Sequence, residues 1–448
     1  RILLGVILVR CGPINYGIPL SVRSSYIFSH QAHTEVYLRI TVCDKAFVMT
    51  AIHKKLYFRL RQSLASTLFL KPQPKPMVFI GEGSTVQLSK AIGRFGLRKI
   101  LVVTDKPLHD LGVLNTTLEA LHQAGVQTAI FDGVLPDPTA QIVDDGIVCY
   151  HQERCDSVLA FGGGSSIDAA KVIALGAANN CNTAGCLGIG KCKLPAVPFF
   201  AVPTTAGTGS EATFIAVISN NETHAKDAVV DPCLIPKAAA LDPEIMRGLP
   251  KHITAATGMD ALTHAIESYI GRWETDDTNY YGLAACRLVF DNLAEACRNG
   301  DNLQARESMA LASHYGGLAI TNALVGYVHA ISHNLGAKYG VPHGLGNALL
   351  LPHVLELLKE DATEKLADIA VYCGMGARTE TSTALTRKLI DQIWALNDEI
   401  GIPRTTDVIR TDDIEGLITA ALTEGGNYPS PRFITENECR DVLRAISS

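Results

Sequence analysis

From about Val78 onward, short apolar runs alternate with segments whose apolar residues recur at helical spacing. Lys99-Ile-Leu-Val-Val-Thr-Asp105 reads as a buried parallel strand, because its unbroken apolar centre leaves no polar face for solvent. Asn115-Thr-Thr-Leu-Glu-Ala-Leu-His-Gln-Ala-Gly125 follows as a helix, with a capping residue at its start and a glycine at its end. A strand over residues 126–131, a helix over about 139–153 and a strand over 157–161 continue the series. This βαβαβ order predicts a parallel sheet, since parallel neighbours need a crossover between them. Beyond Leu241-Asp-Pro243 and Gly248-Leu-Pro250, strand patterning fades and Ala/Leu-rich helical spacing runs to the C-terminus. The expected fold is therefore an α/β domain over residues 49–245 followed by an all-α domain over 246–448.

Residues 1–48 have neither periodicity nor a motif, and the first methionine is Met49. They read as a non-native or disordered extension. The run from Arg1 to Arg10 looks superficially like a signal-peptide core, but it is short and no small-residue cleavage site follows.

Composition narrows the function classes. With 448 residues, 47% of them hydrophobic, the chain can fill sizeable cores. A net charge of −6 and the lack of a Lys/Arg run argue against a nucleic-acid partner. There is no apolar run of about eighteen residues to span a membrane. The twelve cysteines are scattered and read as reduced thiols of a cytoplasmic protein. Cys181, Cys186 and Cys192 cluster in a loop-like stretch without the paired short spacing of zinc ribbons, and read as incidental loop thiols. A small-molecule partner fits this composition.

Two loops carry binding chemistry. The strand ending at Phe161 runs into Gly162-Gly-Gly-Ser-Ser-Ile-Asp-Ala-Ala-Lys171, where residues without Cβ let backbone N–H groups approach an anion at a helix start. Pro203-Thr-Thr-Ala-Gly-Thr-Gly-Ser-Glu211 adds hydroxyls able to bond phosphate, ribose or a carboxamide. Two such loops favour a dinucleotide and make residues 49–245 a dinucleotide-binding domain. Asp105, at the end of an early strand, can accept from ribose hydroxyls and would repel a 2′-phosphate, which favours NAD over NADP. The plainer reading of Asp105 is a helix or turn cap.

The helical half carries a second constellation. In Gly258-Met-Asp-Ala-Leu-Thr-His-Ala-Ile-Glu-Ser-Tyr269, Asp260 and His264 are four apart and share a helix face. His329 and His333 repeat the spacing, and His343 follows. One carboxylate with two or three imidazoles is a ligand set for a divalent iron or zinc ion. His252, His353 and Glu267 lie near the same segments but stay outside the expected site: the histidines read as helix-end or packing residues, and the offset of Glu267 from His264 does not secure it as a ligand.

These blocks, GGGSxxDxAK, PTTAGTGSE, GMDALTHAIE and HAxxHxLGAxYxxPHG, stand in one order, and the chain from about residue 75 to its end resembles the iron-containing (group III) alcohol dehydrogenases. The resemblance implies a cleft between the two domains, lined by metal and nicotinamide. It implies metal ligands at Asp260, His264, His329 and His343, with Fe(II) the expected ion and Zn(II) possible. It implies that His333 stands beside the metal and relays the alcohol proton. Gly162, Gly163, Gly164, Ser165, Thr204, Thr205, Thr208 and Ser210 match the family's cofactor positions, as do Asp105 and, with less similar flanks, Lys226.

The implied chemistry is hydride transfer between a primary alcohol or its aldehyde and NAD(H), in a homodimer or higher homo-oligomer. The rivals are a metal- and NAD-using lyase resembling dehydroquinate synthase, and a polyol or hydroxy-acid dehydrogenase. The lyase needs a basic cluster for its substrate phosphate, which the metal-site helices lack. Two features depart from the family. Residues 1–48 have no counterpart, and Ile320 stands where relatives often have an aromatic wall of the substrate pocket, a change expected to admit longer or branched alcohols.

Overall fold

The order of strands in the main sheet sets the position of everything else. The computed structural model describes residues 51–220 and 226–448. The expectation for residues 1–48 lies outside the described residues. Met49–Ser448 forms one compact unit.

Helix α1 (Ala51–Phe69) precedes β1 (Met77–Ile80), α2 (Ser84–Arg94), β2 (Lys99–Asp105), α3 (Lys106–Asp110) and α4 (Asn115–Gln123). Next come β3 (Gln127–Val134), α5 (Ala140–Gln152), β4 (Ser157–Gly162), α6 (Gly164–Asn179) and the single turn α7 (Thr183–Cys186). Strands β5 (Gly188–Ile189), β6 (Phe199–Pro203), β7 (Ile215–Ser219), β8 (Lys226–Val230) and β9 (Ala238–Leu241) complete the strand-bearing part. The helical part comprises α8 (Lys251–Ile270), α9 (Asp276–Arg298), α10 (Leu303–Ala323), α11 (Tyr327–Tyr339) and α12 (His343–Leu358). It ends with α13 (Thr363–Tyr372), α14 (Ser382–Ile400), α15 (Ile414–Gly425) and α16 (Glu436–Ala445).

Six strands form a sheet in the order β1-β9-β6-β4-β2-β3, and every pair in it is parallel. Its strands alternate between two cores. Leu101, Val103, Val158 and Ala160 face α5 and α6, whereas Ile100, Val102, Leu159 and Phe161 face α2 and α4. Burial on both faces explains the apolar runs of the sequence. From β2 the chain steps to β3 on one side and returns to β4 on the other, so a crevice opens at the carboxyl ends of β2 and β4. Such a switch point is where open α/β sheets bind ligands.

The expected elements are present with small shifts. The helix expected over about 139–153 is α5, and Thr139 caps it, its hydroxyl accepting from the Ile142 N–H. Asn115, expected to cap α4, is instead its first helical residue; the turn from α3 continues directly into the helix, and Leu114 occupies the cap position with no side-chain bond. A second, three-stranded sheet, β5-β8-β7, was not foreseen from the pattern; β8 runs antiparallel to β7 and parallel to β5. The change from strands to helices falls between β9 and α8. Among the described residues no helix is long and apolar enough to cross a membrane.

Candidate active site

The crevice at the strand ends widens into a cleft of about 1020 Å³, walled on one side by the glycine-rich loops and on the other by α8, α10, α11 and the start of α12. Gly163 and Gly164, where β4 passes into α6, line it with Ser165. No side chain caps this sixteen-residue helix, so the first N–H groups of α6 open toward the cleft. A Cβ on Gly164 would come within 2.7 Å of Thr208 Cγ2, so only glycine lets the two loops pack together. Gly162 lies behind the lining, with Ser166 against it.

Thr204, Thr205, Thr208 and Ser210 border the same space. Gly209 has φ +58° and packs on Gly317 of α10, with no room for a side chain; here the cofactor-type loop is anchored to the helical half. The hydroxyl of Ser210 donates to Asp168 Oδ1 at 2.5 Å and accepts from the fully buried Lys171 ammonium at 2.8 Å. Lys171 also donates to Thr213 Oγ1 and the Ile215 carbonyl, tying both loops together. Lys226, at the start of β8, lines the cleft and pairs with Asp137 at 2.9 Å. Asp105 also lines it, and its Oδ1 accepts from the Leu108 N–H at 2.9 Å, so the cap reading is realised while the residue still borders the crevice.

Across the cleft, helix geometry puts Asp260 and His264 on one face of α8. Helix α11 brings His329, and His343 opens α12. Asp260 Oδ1 lies 3.7 Å from His264 Nε2, 3.6 Å from His329 Nε2 and 3.2 Å from His343 Nε2. The four donor atoms lie within 4.8 Å of one another, and all but His343 are buried. The Asn347 Nδ2 group sits among them, donating to Asp260 Oδ1 at 2.7 Å and lying 3.1 and 3.2 Å from the Nε2 atoms of His329 and His343. Lone pairs that converge on one N–H donor are suited to a cation.

The electrostatics agree. Burial opposes the charge on Asp260, but His264, His343 and His329 outweigh it and hold the carboxyl well below the usual range. Burial alone would lower His329, yet its bonds to Asp260 and Glu267 push it up to about 9. Burial wins at His264, down to about 3. Two buried carboxylates thus favour positive charge at the centre of the cluster, and the donor set fits a divalent metal ion.

Sequence reasoning missed three supporting residues. Glu267 accepts from the Gly326 and Val328 N–H groups at 2.8 and 2.7 Å, and its Oε2 lies 2.7 Å from His329 Nδ1. It orients a candidate ligand from behind, and its position seven residues after Asp260, on the same helix face, was the available signal. Glu424 on α15 lies 2.5 Å from His333 Nδ1 and also accepts from Tyr428 and Asn334. Asn347 is the third. His353 packs edge-on against Trp394 and His252 is exposed, so both remain outside the site. Ile320 and Leu324 wall the cleft.

A parallel sheet whose strand ends face a His/Asp donor cluster defines a class of enzyme that binds a nucleotide opposite a metal. Residues 74–243 match the model of iron-containing alcohol dehydrogenases, and residues 254–447 match the C-terminal model of the Fe-containing alcohol dehydrogenase family. A 1,3-propanediol dehydrogenase of Klebsiella pneumoniae is 39% identical over 82% of this chain and 96% of its own. An NAD-dependent methanol dehydrogenase of Bacillus methanolicus is 35% identical over 82% of this chain and 97% of its own. The solved structure of an alcohol dehydrogenase from Oenococcus oeni superposes with a TM-score of 0.80 at 34% identity, covering 84% of this chain and 99% of that one. The chain belongs to the iron-containing alcohol dehydrogenase family.

Proposed function

We propose that this protein interconverts small primary alcohols and their aldehydes with NAD(H), using a divalent metal, Fe(II) in preference to Zn(II), held by Asp260, His264, His329 and His343. One observation carries the reading: His264, His329 and His343 line the same cleft as the two glycine-rich loops, and the fourth donor, on buried Asp260, lies within 4.8 Å of theirs. Bound there, the metal supplies Lewis acidity toward an alcohol oxygen and the nicotinamide supplies the hydride acceptor. The protein's part is positioning, exclusion of water and proton handling. The α6 N-terminus and the threonine hydroxyls suit the dinucleotide phosphates, and Asp105 suits the adenosine ribose.

His333 is the proton relay in this reading. Burial lowers it to about 4 against the pull of Glu424, so the ring is neutral at physiological pH. A neutral ring that donates from Nδ1 to Glu424 keeps its Nε2 lone pair free to take the alcohol proton. The walls at Ile320, Leu324, Val325 and Ile253 are apolar, which favours unadorned alcohols over polyols or hydroxy acids. A cytoplasmic homo-oligomer completes the proposal; the described cysteines are free thiols, as suits a reducing compartment.

The test is a screen of alcohols and aldehydes by NADH and NADPH absorbance, on apo-protein reconstituted separately with Fe(II) and Zn(II). His264→Ala should abolish both bound metal and turnover. Full activity in that variant without metal would reject the proposal.

A further inference from the structure

The turn after α6 gathers three thiols that the sequence left as incidental. Cys181 Sγ and Cys186 Sγ are 3.5 Å apart, Cys192 Sγ lies 3.7 Å from Cys186 Sγ, and all three lie within 4.8 Å of one another. We propose that Cys181, Cys186 and Cys192 form a second metal site, separate from the catalytic cleft, that takes a soft d10 cation such as Zn(II) or Cu(I).

The spacing matches the chemistry. Four sulfurs at about 2.3 Å around a tetrahedral zinc stand about 3.8 Å apart, so the Cys186 pairs need to move by only a few tenths of an ångström. A disulfide would require one pair to close to about 2.0 Å and would leave the third thiol without a role. Three convergent thiolates select soft cations over the hard, oxygen-preferring ones. Cys186 is buried at the centre, whereas Cys181 and Cys192 are partly exposed, which gives an ion a way in and leaves solvent to complete its shell. None of the three lines the catalytic cleft.

The loop is built to hold this arrangement. The Cys181 N–H bonds to the Gly176 carbonyl, and the Thr183 N–H and hydroxyl both donate to Asp144. Gly185 gives Cys181 room: a Cβ there would stand 3.1 Å from Cys181 Cβ. Asn179 accepts from the Lys193 and Leu194 N–H groups just beyond Cys192. Between the second and third thiols, β5 pairs with β8. An ion would therefore staple the loop to the second sheet, whose β8 begins at the cleft-lining Lys226. On binding, each S–H proton leaves to solvent as its sulfur–metal bond forms; three protons are released and the ion keeps its oxidation state.

The experiment compares wild-type holoenzyme with Cys186→Ser and, as a milder change at a partly exposed position, Cys192→Ser, all purified under reductant. Metal per chain is measured by mass spectrometry, after incubation with Zn(II) in one arm and with Cu(I) under anaerobic conditions in the other. The expected result is a second metal ion per chain in wild type in at least one arm, lost in both variants. The metal bound at the catalytic cleft and kcat stay unchanged, while the melting temperature in the presence of that ion falls. Equal metal content and equal melting temperature in all three proteins would overturn the proposal. So would a wild-type mass two hydrogens light, with two of the three thiols blocked to alkylation, because that outcome is a disulfide.

Discussion

His333 Nδ1 lies 2.5 Å from Glu424 Oε1, a contact that joins α11 to a residue 91 positions later on α15. The carboxylate is itself held by the Tyr428 hydroxyl at 2.8 Å, and the Tyr428 carbonyl accepts from Gln62 of α1 at 2.7 Å. If His333 relays the alcohol proton, Glu424→Gln should lower kcat by about tenfold or more, because an uncharged amide, able to turn either its oxygen or its NH2 toward Nδ1, no longer fixes the ring's tautomer. Metal content should not change. Steady-state kinetics with metal analysis checks this; an unaltered kcat would remove the pair from the proton path.

Glu267 acts on the other histidine of α11. Its carboxylate secures His329 and the backbone at Gly326 and Val328 together. Replacing it with Gln keeps an acceptor but removes the charge that favours a well-oriented, electron-rich imidazole. Metal affinity, measured by competition with a chelator, should fall about 10- to 100-fold, with kcat largely retained at saturating metal.

The end of α10 shapes the substrate wall. Leu324 has φ +57° and ψ −160°, a conformation that only glycine adopts freely and that costs other residues about 1–3 kcal/mol. Its side chain and Ile320 take up room in the cleft. Ile320→Phe should depress kcat/KM for hexanol relative to ethanol by about tenfold, the scale of a methylene that no longer fits. Equal efficiencies on both alcohols in both proteins would show that this wall does not select chain length.

Asp105 both caps α3 and borders the cleft, so its two roles need separating. Asn caps a helix about as well as Asp but carries no charge. Asp105→Asn should therefore leave the melting temperature unchanged and raise the NADP-to-NAD ratio of kcat/KM by about tenfold, equivalent to about 1.4 kcal/mol. No change in that ratio would leave Asp105 as a cap alone.

Acid stability has an identifiable contributor outside the lining of the cleft. Glu438 is paired with Arg432 at 2.8 Å and completes the capping box of α16, and its carboxyl is held down to about 2, chiefly by Arg432. A depressed folded-state pKa means stability that is complete above the unfolded value near 4.5 and lost as pH falls through about 2. Glu438→Gln should be less stable than wild type at pH 7, and the gap should close across that acid window. Urea unfolding at several pH values measures it.

Much of this architecture was legible in one dimension. A strand buried on both faces is an apolar run, as at residues 99–103 and 157–161, and a chelating pair on one helix turn is a spacing of four, as at Asp260 and His264. Such signals are local, because hydrophobic periodicity and helix geometry are properties of short segments. The glycine loops were readable for the same reason: a residue without Cβ marks where backbone must come close.

What only the tertiary structure decided are pairings whose members lie far apart in the chain. Glu267 could be placed on the right helix face, but its partner His329 comes 62 residues later. Asn347 stands four residues after His343, but its bond to Asp260 spans 87 residues, and Glu424 belongs to no local pattern at all. The three thiols of residues 181–192 sit at irregular spacings, and only a turn pinned by Asp144, Gly176 and β8 brings their sulfurs together. Sequence alone determined the alternating strands and helices of residues 99–161, the helical character of the C-terminal half and which residue types stood ready for metal and nucleotide. Folding determined which of those residues meet, because a contact across the core depends on how whole elements pack, and no short window of sequence contains that information.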